Sequence, residues 1–256
     1  MDSSLGLNLF TVLFLLGTFL ASLVAGISGF AFGLVAAAVW LYILPPLLTA
    51  TLIIAFGLVV QGYAVWKLRH SLDGKKLTPL LIGAALGVPI GVFVVAHANP
   101  QYLRASVGAI LILFSIYAGL RPALKFVGGG AAADAGAGFL NGILGGATGF
   151  AGIIATIWCQ LRGWPKDQQR TVFQPVGVAT FAMSAAWLGG QGAVSREAIW
   201  LFVFGLPVLL AGSWLGLKLY GRLDEAQFRK VVLGLLLLSG VVLLFGVVQS
   251  LAGSRA

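Results

Sequence analysis

Long apolar stretches follow one another along almost the whole chain, separated by short polar segments. Most of these stretches reach about 18 residues, the length an α-helix needs to cross the hydrocarbon core of a bilayer. The alternating segments of about ten residues that are typical of a transmembrane barrel are absent. The pattern predicts an all-α polytopic membrane protein, with residues 1–256 forming a single transmembrane domain.

The first apolar stretch, residues 5–48, is too long for one crossing and is interrupted by the sequence GISGFA at residues 26–31. A similar sequence, GATGFA, occupies residues 146–151, 120 residues later. Glycine tolerates backbone conformations with positive φ, so each copy can break a helix. We therefore expect a broken or re-entrant helix pair to open each half of the chain.

Other positions repeat along with the break. Pro45 and Pro165 keep the same offset of 120, and the glycine pair at 87 and 91 returns at 212 and 216. The sequence thus predicts two repeats of about five helical segments each, at about 5–120 and 131–251, joined by a linker at about 121–130. The expected helices are 5–25, 28–44, 47–66, 77–96, 101–120, 131–145, 149–161, 170–188, 198–219 and 226–251.

The basic residues indicate how the repeats are oriented. If the broken pair forms a hairpin in each half, loops 67–76, 121–125, 162–170 and 218–230 fall on one side of the membrane. They hold four, two, three and four Lys or Arg residues, which is 13 of the 16 in the chain. Basic loops face the cytoplasm. This favours an inverted repeat with both termini outside.

Composition supports the membrane assignment. The chain is 59% hydrophobic and 9% charged, against about 25% charged in a soluble domain. The net charge of +9 lies in short loops beside apolar stretches, which is typical of membrane orientation and not of a nucleic-acid partner. The single cysteine, Cys159, excludes an intrachain disulfide and a cysteine metal cluster. We expect no cofactor and no metal.

The breaks carry the candidate chemistry. Helices starting near Ser28 and Thr148 would present free N–H groups, the positive end of a dipole and a hydroxyl, which together suit an anion. Backbone that leaves the helix inside a bilayer must be buried in protein or line a cavity, so both breaks are expected close together at midplane. The predicted binding residues are Gly26, Ser28, Gly29, Phe30, Gly146, Thr148, Gly149, Phe150, Asn141, Gln61, Gln174 and Arg170.

Acidic residues are expected only in loops and at helix ends, which argues against a cation site or a carboxylate proton relay at depth. The sequence also lacks paired carboxylates or a nucleophile–histidine pair within the apolar stretches, so we expect no catalytic residue and no enzyme. The sequence leaves three functions open, which are a carrier, a channel and a non-transporting scaffold or assembly factor.

The Gly-x-[Ser/Thr]-Gly-Phe break, present once per half at residues 26–30 and 146–150, resembles the TauE/SafE family of sulfite and organosulfonate exporters. So do the proline after the following helix and the glycine-rich fourth helix. The resemblance implies transport of sulfur-containing anions across the cytoplasmic membrane of bacteria. It assigns the anion to the two breaks. Because the chain has two repeats, we expect a secondary transporter in which one repeat rocks against the other to give alternating access. The expected partners are a small anion and the lipid bilayer, and a homodimer is left open.

Overall fold

The computed structural model describes the backbone of residues 3–28, 31–120, 127–219 and 225–253. Over these ranges the chain forms ten α-helices and one 3₁₀-helix (Arg69–Ser71), and no strand occurs in them. The helices are α1 (Ser3–Ser28), α2 (Phe32–Trp40), α3 (Pro46–Leu68), α4 (Gly74–His97), α5 (Pro100–Leu120), α6 (Ala131–Thr148), α7 (Ile153–Leu161), α8 (Lys166–Gly190), α9 (Arg196–Leu219) and α10 (Glu225–Gly253).

Six of the described helices are long and apolar enough to cross a membrane: α1, α4, α5, α8, α9 and α10. The short helices α2 and α7 contain nine residues each. At 1.5 Å per residue they span about 13 Å, well short of a hydrocarbon core of about 30 Å. The all-helical membrane architecture predicted from the sequence is therefore confirmed, although several helix ends differ.

The basic segment 67–76 is one such difference, because it is not a continuous loop. Helix α3 continues to Leu68, and α4 already begins at Gly74. Asp73 accepts a hydrogen bond from the backbone N–H of Lys75 at 3.1 Å, which caps the start of α4. The side chain of Lys76, whose ammonium lies 3.1 Å from the Asp73 carboxylate, is the main reason that the pKa of Asp73 is below its usual value.

The contacts divide the chain into two compact units. The first unit comprises Met1–Thr49, Ala98–Pro122 and Val203–Ala256, and the second comprises Ala50–His97 and Ala123–Phe202. Each unit combines helices from both halves of the sequence. The first holds α1, α2, α5, most of α9 and α10, and the second holds most of α3 together with α4, α6, α7 and α8.

In the first unit, an aromatic cluster fixes α2 against α1. The ring of Trp40 stacks on Phe14 with centroids 5.2 Å apart, and its Nε1–H points to the carbonyl of Phe14 at 3.4 Å. Phe32 meets the same indole edge-on. All three rings are buried, so the nine residues of α2 are held by packing and need not span the membrane to be stable.

Close helix approach through glycine occurs in both units. In the second unit, a Cβ atom on Gly87 of α4 would collide with the carbonyl of Phe139 on α6, and one on Gly91 with that of Ile143. In the first unit, a Cβ on Gly212 of α9 would meet the carbonyl of Phe19 on α1 at 2.8 Å. Small residues let membrane helices come this close.

These two contacts use corresponding positions. Phe19 and Phe139 differ by 120 residues, and Gly87 and Gly212 differ by 125. In both cases the contacts advance in the same direction along the two helices, so α4 runs parallel to α6 and α1 runs parallel to α9. Each unit therefore joins the first helix of one sequence half to the fourth helix of the other.

Two further contacts have the opposite sense. Gly108 of α5 approaches the carbonyl of Gly240 and the side chain of Leu244, whereas Gly240 approaches Ile112, so α5 and α10 are antiparallel. In the second unit, Gly57 of α3 lies against Phe181 of α8, while Gly177 lies against Gln61. Helices α3 and α8 are thus antiparallel as well.

Two glycines of α6 offer a matched test of this packing. A Cβ on Gly138 would collide with the carbonyl of Leu80, whereas one on Gly136 would meet nothing within 4 Å. We expect Gly138→Ala to destabilise the protein by about 1–3 kcal/mol, as overpacking does. Gly136→Ala should be neutral or stabilising, because alanine favours a helix by up to about 1 kcal/mol.

The measurement is the melting temperature of the two purified variants in the same detergent. Equal melting temperatures would contradict the close approach of α4 and α6.

Candidate functional site

The second break forms a compact turn inside the second unit. Helix α6 ends at Thr148, and α7 begins at Ile153. Gly149 and Gly152 adopt φ angles of 77° and 111°, which other residues rarely adopt. A Cβ on Gly149 would also lie 2.6 Å from the side chain of Ile53 on α3. Both conformation and space therefore require glycine at residue 149.

A buried amide supports the start of α7. The side chain of Asn141, fully buried on α6, accepts hydrogen bonds from the backbone N–H groups of Gly152 at 3.0 Å and Ala155 at 3.3 Å. The first N–H groups of a helix have no acceptor in the helix itself. Asn141 thus fills, from the neighbouring helix, the role usually taken by an N-cap residue, and no cap bond comes from Gly152 itself.

The other end of the Asn141 amide is also engaged. Its Nδ2 group donates to the hydroxyl of Thr180 on α8 at 3.2 Å, and that hydroxyl donates to the carbonyl of Val176 at 2.7 Å. Asn141 therefore ties together α6, α7 and α8. The sequence singles out Asn141 but not Thr180, whose only signal is that it is a polar residue within an apolar helix.

Thr148 does not lie where the sequence predicts. It ends α6 and does not begin α7, so it faces the negative end of a helix dipole. Its hydroxyl donates to the carbonyl of Leu144 at 2.7 Å and accepts from the N–H of Phe150 at 3.1 Å. The expectation that Thr148 starts a helix is wrong because Gly149 ends the preceding one. Its hydroxyl shapes the turn and has no proton left to donate.

The corresponding expectation for the first break is wrong in the same way. Ser28 ends α1, and α2 begins only at Phe32. The side chain of Ser28, together with Gly29 and Phe30, lies outside the described residues. Gly26 is within α1 and packs against α9, where a Cβ would lie 2.6 Å from the carbonyl of Ser213.

The structure buries three further candidates and brings one of them, Gln61, to the second break. Gln61 of α3 and Gln174 of α8 are both buried, as is Phe150 in the turn. A Cβ on Gly177 would lie 2.9 Å from Oε1 of Gln61 and 3.5 Å from the carbonyl of Ala151. The amide of Gln61 therefore reaches the level of the break.

Two candidates lie apart from this group. Gly146 packs against α4, where a Cβ on Gly146 would lie 2.8 Å from the carbonyl of Val88. Arg170 lies in the second turn of α8 and is exposed. It does not contact the buried amides through any hydrogen bond among the described residues.

Polar residues at the break belong mainly to the second half of the sequence. Subtracting the offset of 120 from Asn141, Gln174 and Thr180 leads to Ala21, Ile54 and Val60, all of them apolar. The two breaks are therefore chemically unequal, although their glycine patterns match. Among the described residues, the start of α7 combines the positive end of a helix dipole with a nearby buried amide, and both features suit an anionic group.

A second polar cluster lies at the opposite end of the α6–α7 pair. Asp134, in the first turn of α6, is 6% exposed and accepts a hydrogen bond from Nε1 of Trp158 at 2.8 Å. Nε of Arg162 at the end of α7 lies 3.3 Å from the same carboxylate oxygen. The sequence predicts Asp134 at a helix end, as observed, but its burial and its partners depend on folding.

Comparison with known protein families identifies one match. The family described as "Sulfite exporter TauE/SafE" matches residues 13–243. The match covers both breaks and nearly all of the described helices. Neither the comparison with curated proteins nor the comparison with solved structures found a match.

The role of Asn141 can be tested by removing its amide. We expect Asn141→Leu to destabilise the protein by about 2 kcal/mol or more, because two N–H groups at the start of α7 lose their acceptor while buried. Thr180→Val removes only the partner of Nδ2 and should cost about 1 kcal/mol.

Thermal unfolding compares the two variants, and amide hydrogen exchange of peptides covering residues 149–156 locates the effect. Unchanged exchange at Gly152 and Ala155 in Asn141→Leu would show that the amide does not hold the start of α7.

Proposed function

Since the chain belongs to the TauE/SafE family of sulfite exporters, we propose that it is a secondary transporter of a small sulfur-containing anion, sulfite or an organosulfonate. The family and the six candidate spans make it a multi-pass membrane protein of a transporter family and not of an enzyme family. We further propose that it lies in the cytoplasmic membrane and works by alternating access.

The observation that carries the site is the capped start of α7. Asn141 occupies the N–H groups of Gly152 and Ala155, and those of Ile153 and Ile154 lie between them. Neither of these two N–H groups donates to a described backbone carbonyl. Together with the positive end of the helix dipole they can donate to an oxyanion.

The amide side chains complete the proposed site. Gln61 and Gln174 would each donate one further hydrogen bond from an NH₂ group, and the ring of Phe150 would form an apolar wall. Thr148, Gly146 and Gly149 would shape the turn. In the first half, Gly26, Ser28, Gly29 and Phe30 would form the corresponding element. Arg170, exposed near the start of α8, would attract anions toward the site.

A site without a buried cation suits transport. Neutral N–H donors bind an anion through dipoles, so the anion is not held by a full opposite charge. A transported ion must bind well enough to enter and weakly enough to leave. A sulfonate or sulfite group offers three oxygens to such donors and carries its charge on one small head.

Alternating access would rest on an inverted repeat. Gly57 corresponds to residue 177 at the offset of 120, and Phe181 corresponds to residue 61. The contacts Gly57–Phe181 and Gly177–Gln61 are therefore corresponding contacts, and they lie between antiparallel helices. A two-fold axis perpendicular to the helices gives this arrangement, whereas a parallel repeat would make corresponding helices parallel. Helices α5 and α10, which are also corresponding helices, are antiparallel within the first unit. If the helices span the bilayer, that axis lies in the membrane plane, as in many carriers.

A channel and a non-transporting scaffold are the alternatives. A scaffold has no need for buried amides around a helix start, and a channel would conduct without exchange. Trans-stimulation separates a carrier from a channel, because only a carrier returns faster when it is loaded on the far side.

The transport prediction concerns reconstituted protein. We expect proteoliposomes to take up labelled sulfite or sulfoacetate, and unlabelled anion inside the vesicles to accelerate the uptake. Gln61→Leu should lower uptake about tenfold or more, since a hydrogen bond to a charged group contributes about 1.5–3 kcal/mol. Gln191→Leu, at an exposed position after α8, is the matched control and should transport as the unaltered protein does.

Uptake without trans-stimulation would favour a channel. No uptake of any sulfur anion would contradict the proposed function, and normal uptake by Gln61→Leu would contradict the site.

The orientation prediction uses single cysteines in a Cys159→Ala background. His70 precedes α4, and Asn99 and Gln191 lie in turns that would face the other side. With both termini outside, a membrane-impermeant maleimide added to intact cells should label Asn99→Cys and Gln191→Cys but not His70→Cys. Labelling of His70→Cys together with Asn99→Cys would exclude this topology.

A further inference from the structure

Asp134 is the one acidic side chain that is buried among those the structure describes. It lies at the start of α6, where a helix dipole favours negative charge, and Arg162 lies at the end of α7, where the dipole favours positive charge. Because α6 and α7 are joined by the break at Gly149, the pair closes the hairpin at the end farthest from that break.

The pair leaves much of Arg162 available. Nε of Arg162 approaches Asp134 at 3.3 Å, and it makes no hydrogen bond there. The Arg162 side chain remains 19% exposed. A guanidinium has five donors in a flat fork that matches the oxygens of an oxyanion in pairs. The contact with Asp134 uses one edge of that fork and leaves the paired end to another acceptor.

The guanidinium of Arg162 also lies beside an indole ring. Its carbon lies 5.6 Å from the ring centre of Trp164, and Nζ of Lys76 lies 5.5 Å from the same ring. Gly129 borders Nη1 of Arg162 and adds no side chain there. Two cations therefore flank one indole, next to a carboxylate that Trp158 also holds through its Nε1–H.

We propose that Asp134 and Arg162 form a latch that holds the end of α7 on the start of α6, and that the transported oxyanion opens it by taking Arg162 from Asp134. This inference rests on the proposed function, since it makes Arg162 an anion-binding residue on the path to the buried site. Asp134 competes with the substrate and keeps the hairpin closed when no anion is bound. Trp158 keeps Asp134 in place while Arg162 moves.

Cys159 reports the state of the latch. It is the only cysteine of the chain and lies between Trp158 and Arg162 in sequence. Its side chain is fully buried in a cluster of residues from α4, α6, α7 and α8. The other members of this cluster are Leu77, Leu80, Ala137, Ala155, Val172 and Val176. Lifting the end of α7 from α6 must expose this thiol, so its rate of alkylation follows opening.

The experiment measures alkylation of Cys159 by N-ethylmaleimide in the purified full-length protein, by intact mass. Asp134→Asn and Arg162→Gln should each label about tenfold faster than the unaltered protein, because breaking a buried ion pair costs more than the 1.4 kcal/mol that a tenfold change requires. Asp73→Asn, which breaks the exposed pair with Lys76, is the control and should label at the unaltered rate.

Sulfoacetate tests the second half of the proposal, with acetate at equal ionic strength as its control. Sulfoacetate should accelerate labelling of the unaltered protein several-fold and have no effect on Arg162→Gln, whereas acetate should have little effect on either. Labelling of Asp134→Asn at the unaltered rate would overturn the latch. Acceleration by sulfoacetate that persists in Arg162→Gln, or none in the unaltered protein, would overturn the role of the anion.

Uptake by proteoliposomes, measured on the same variants, separates this inference from the proposed function. If the unaltered protein takes up no sulfur anion, the proposed function fails, while the labelling of Asp134→Asn still decides whether the pair is a latch. If the unaltered protein transports and Arg162→Gln both transports and labels as it does, the latch fails and the proposed function stands.

Discussion

A helix that starts inside an apolar protein leaves backbone N–H groups that water cannot reach, and the amide of Asn141 satisfies two of them at the start of α7. It accepts from Gly152 and Ala155 and donates to Thr180, so one side chain fixes three helices. Removing such an acceptor costs the full desolvation of the groups it served. The break can therefore exist only where α6, α7 and α8 are already together. This dependence links the fold to the proposed site, because Asn141 caps the N–H groups of Gly152 and Ala155 and leaves those of Ile153 and Ile154, at the same helix start, to attract the proposed anion.

Glycine governs the other constraint, which is how closely the helices approach. The rows on α4 and α9 bring backbone against backbone in each unit, at positions that correspond between the two halves. Such contacts leave helix directions little freedom. The parallel pairs α4–α6 and α1–α9, with the antiparallel pairs α3–α8 and α5–α10, are what an inverted repeat would require. The two sequence halves nevertheless differ in chemistry, since Asn141 corresponds to Ala21.

The sequence was sufficient for whatever depends on pattern. Apolar length predicted the helices, and the repeated glycine motif predicted where the chain breaks between α1 and α2 and between α6 and α7. It failed where a local choice decides between neighbouring conformations. From the sequence, Thr148 and Ser28 could each be the start of one helix or the end of another. For Thr148, the left-handed conformation of Gly149 decides that it ends a helix. The bond from Asn141 to Gly152 and the burial of Asp134 between Trp158 and Arg162 join residues 11 to 28 positions apart. No periodic pattern carries contacts of that kind.

The most direct test of the central claim is a thermal-shift measurement on the purified protein with sulfite, sulfate, thiosulfate, sulfoacetate, taurine and matched carboxylates at constant ionic strength. A ligand that binds only the folded state stabilises it by about 2.7 kcal/mol at a hundred times its Kd. The account predicts that at least one sulfur anion raises the melting temperature in proportion to the logarithm of its concentration, that the matched carboxylate does not, and that Gln61→Leu loses the shift. Equal shifts from sulfonates and carboxylates, or a shift that survives in Gln61→Leu, would contradict it.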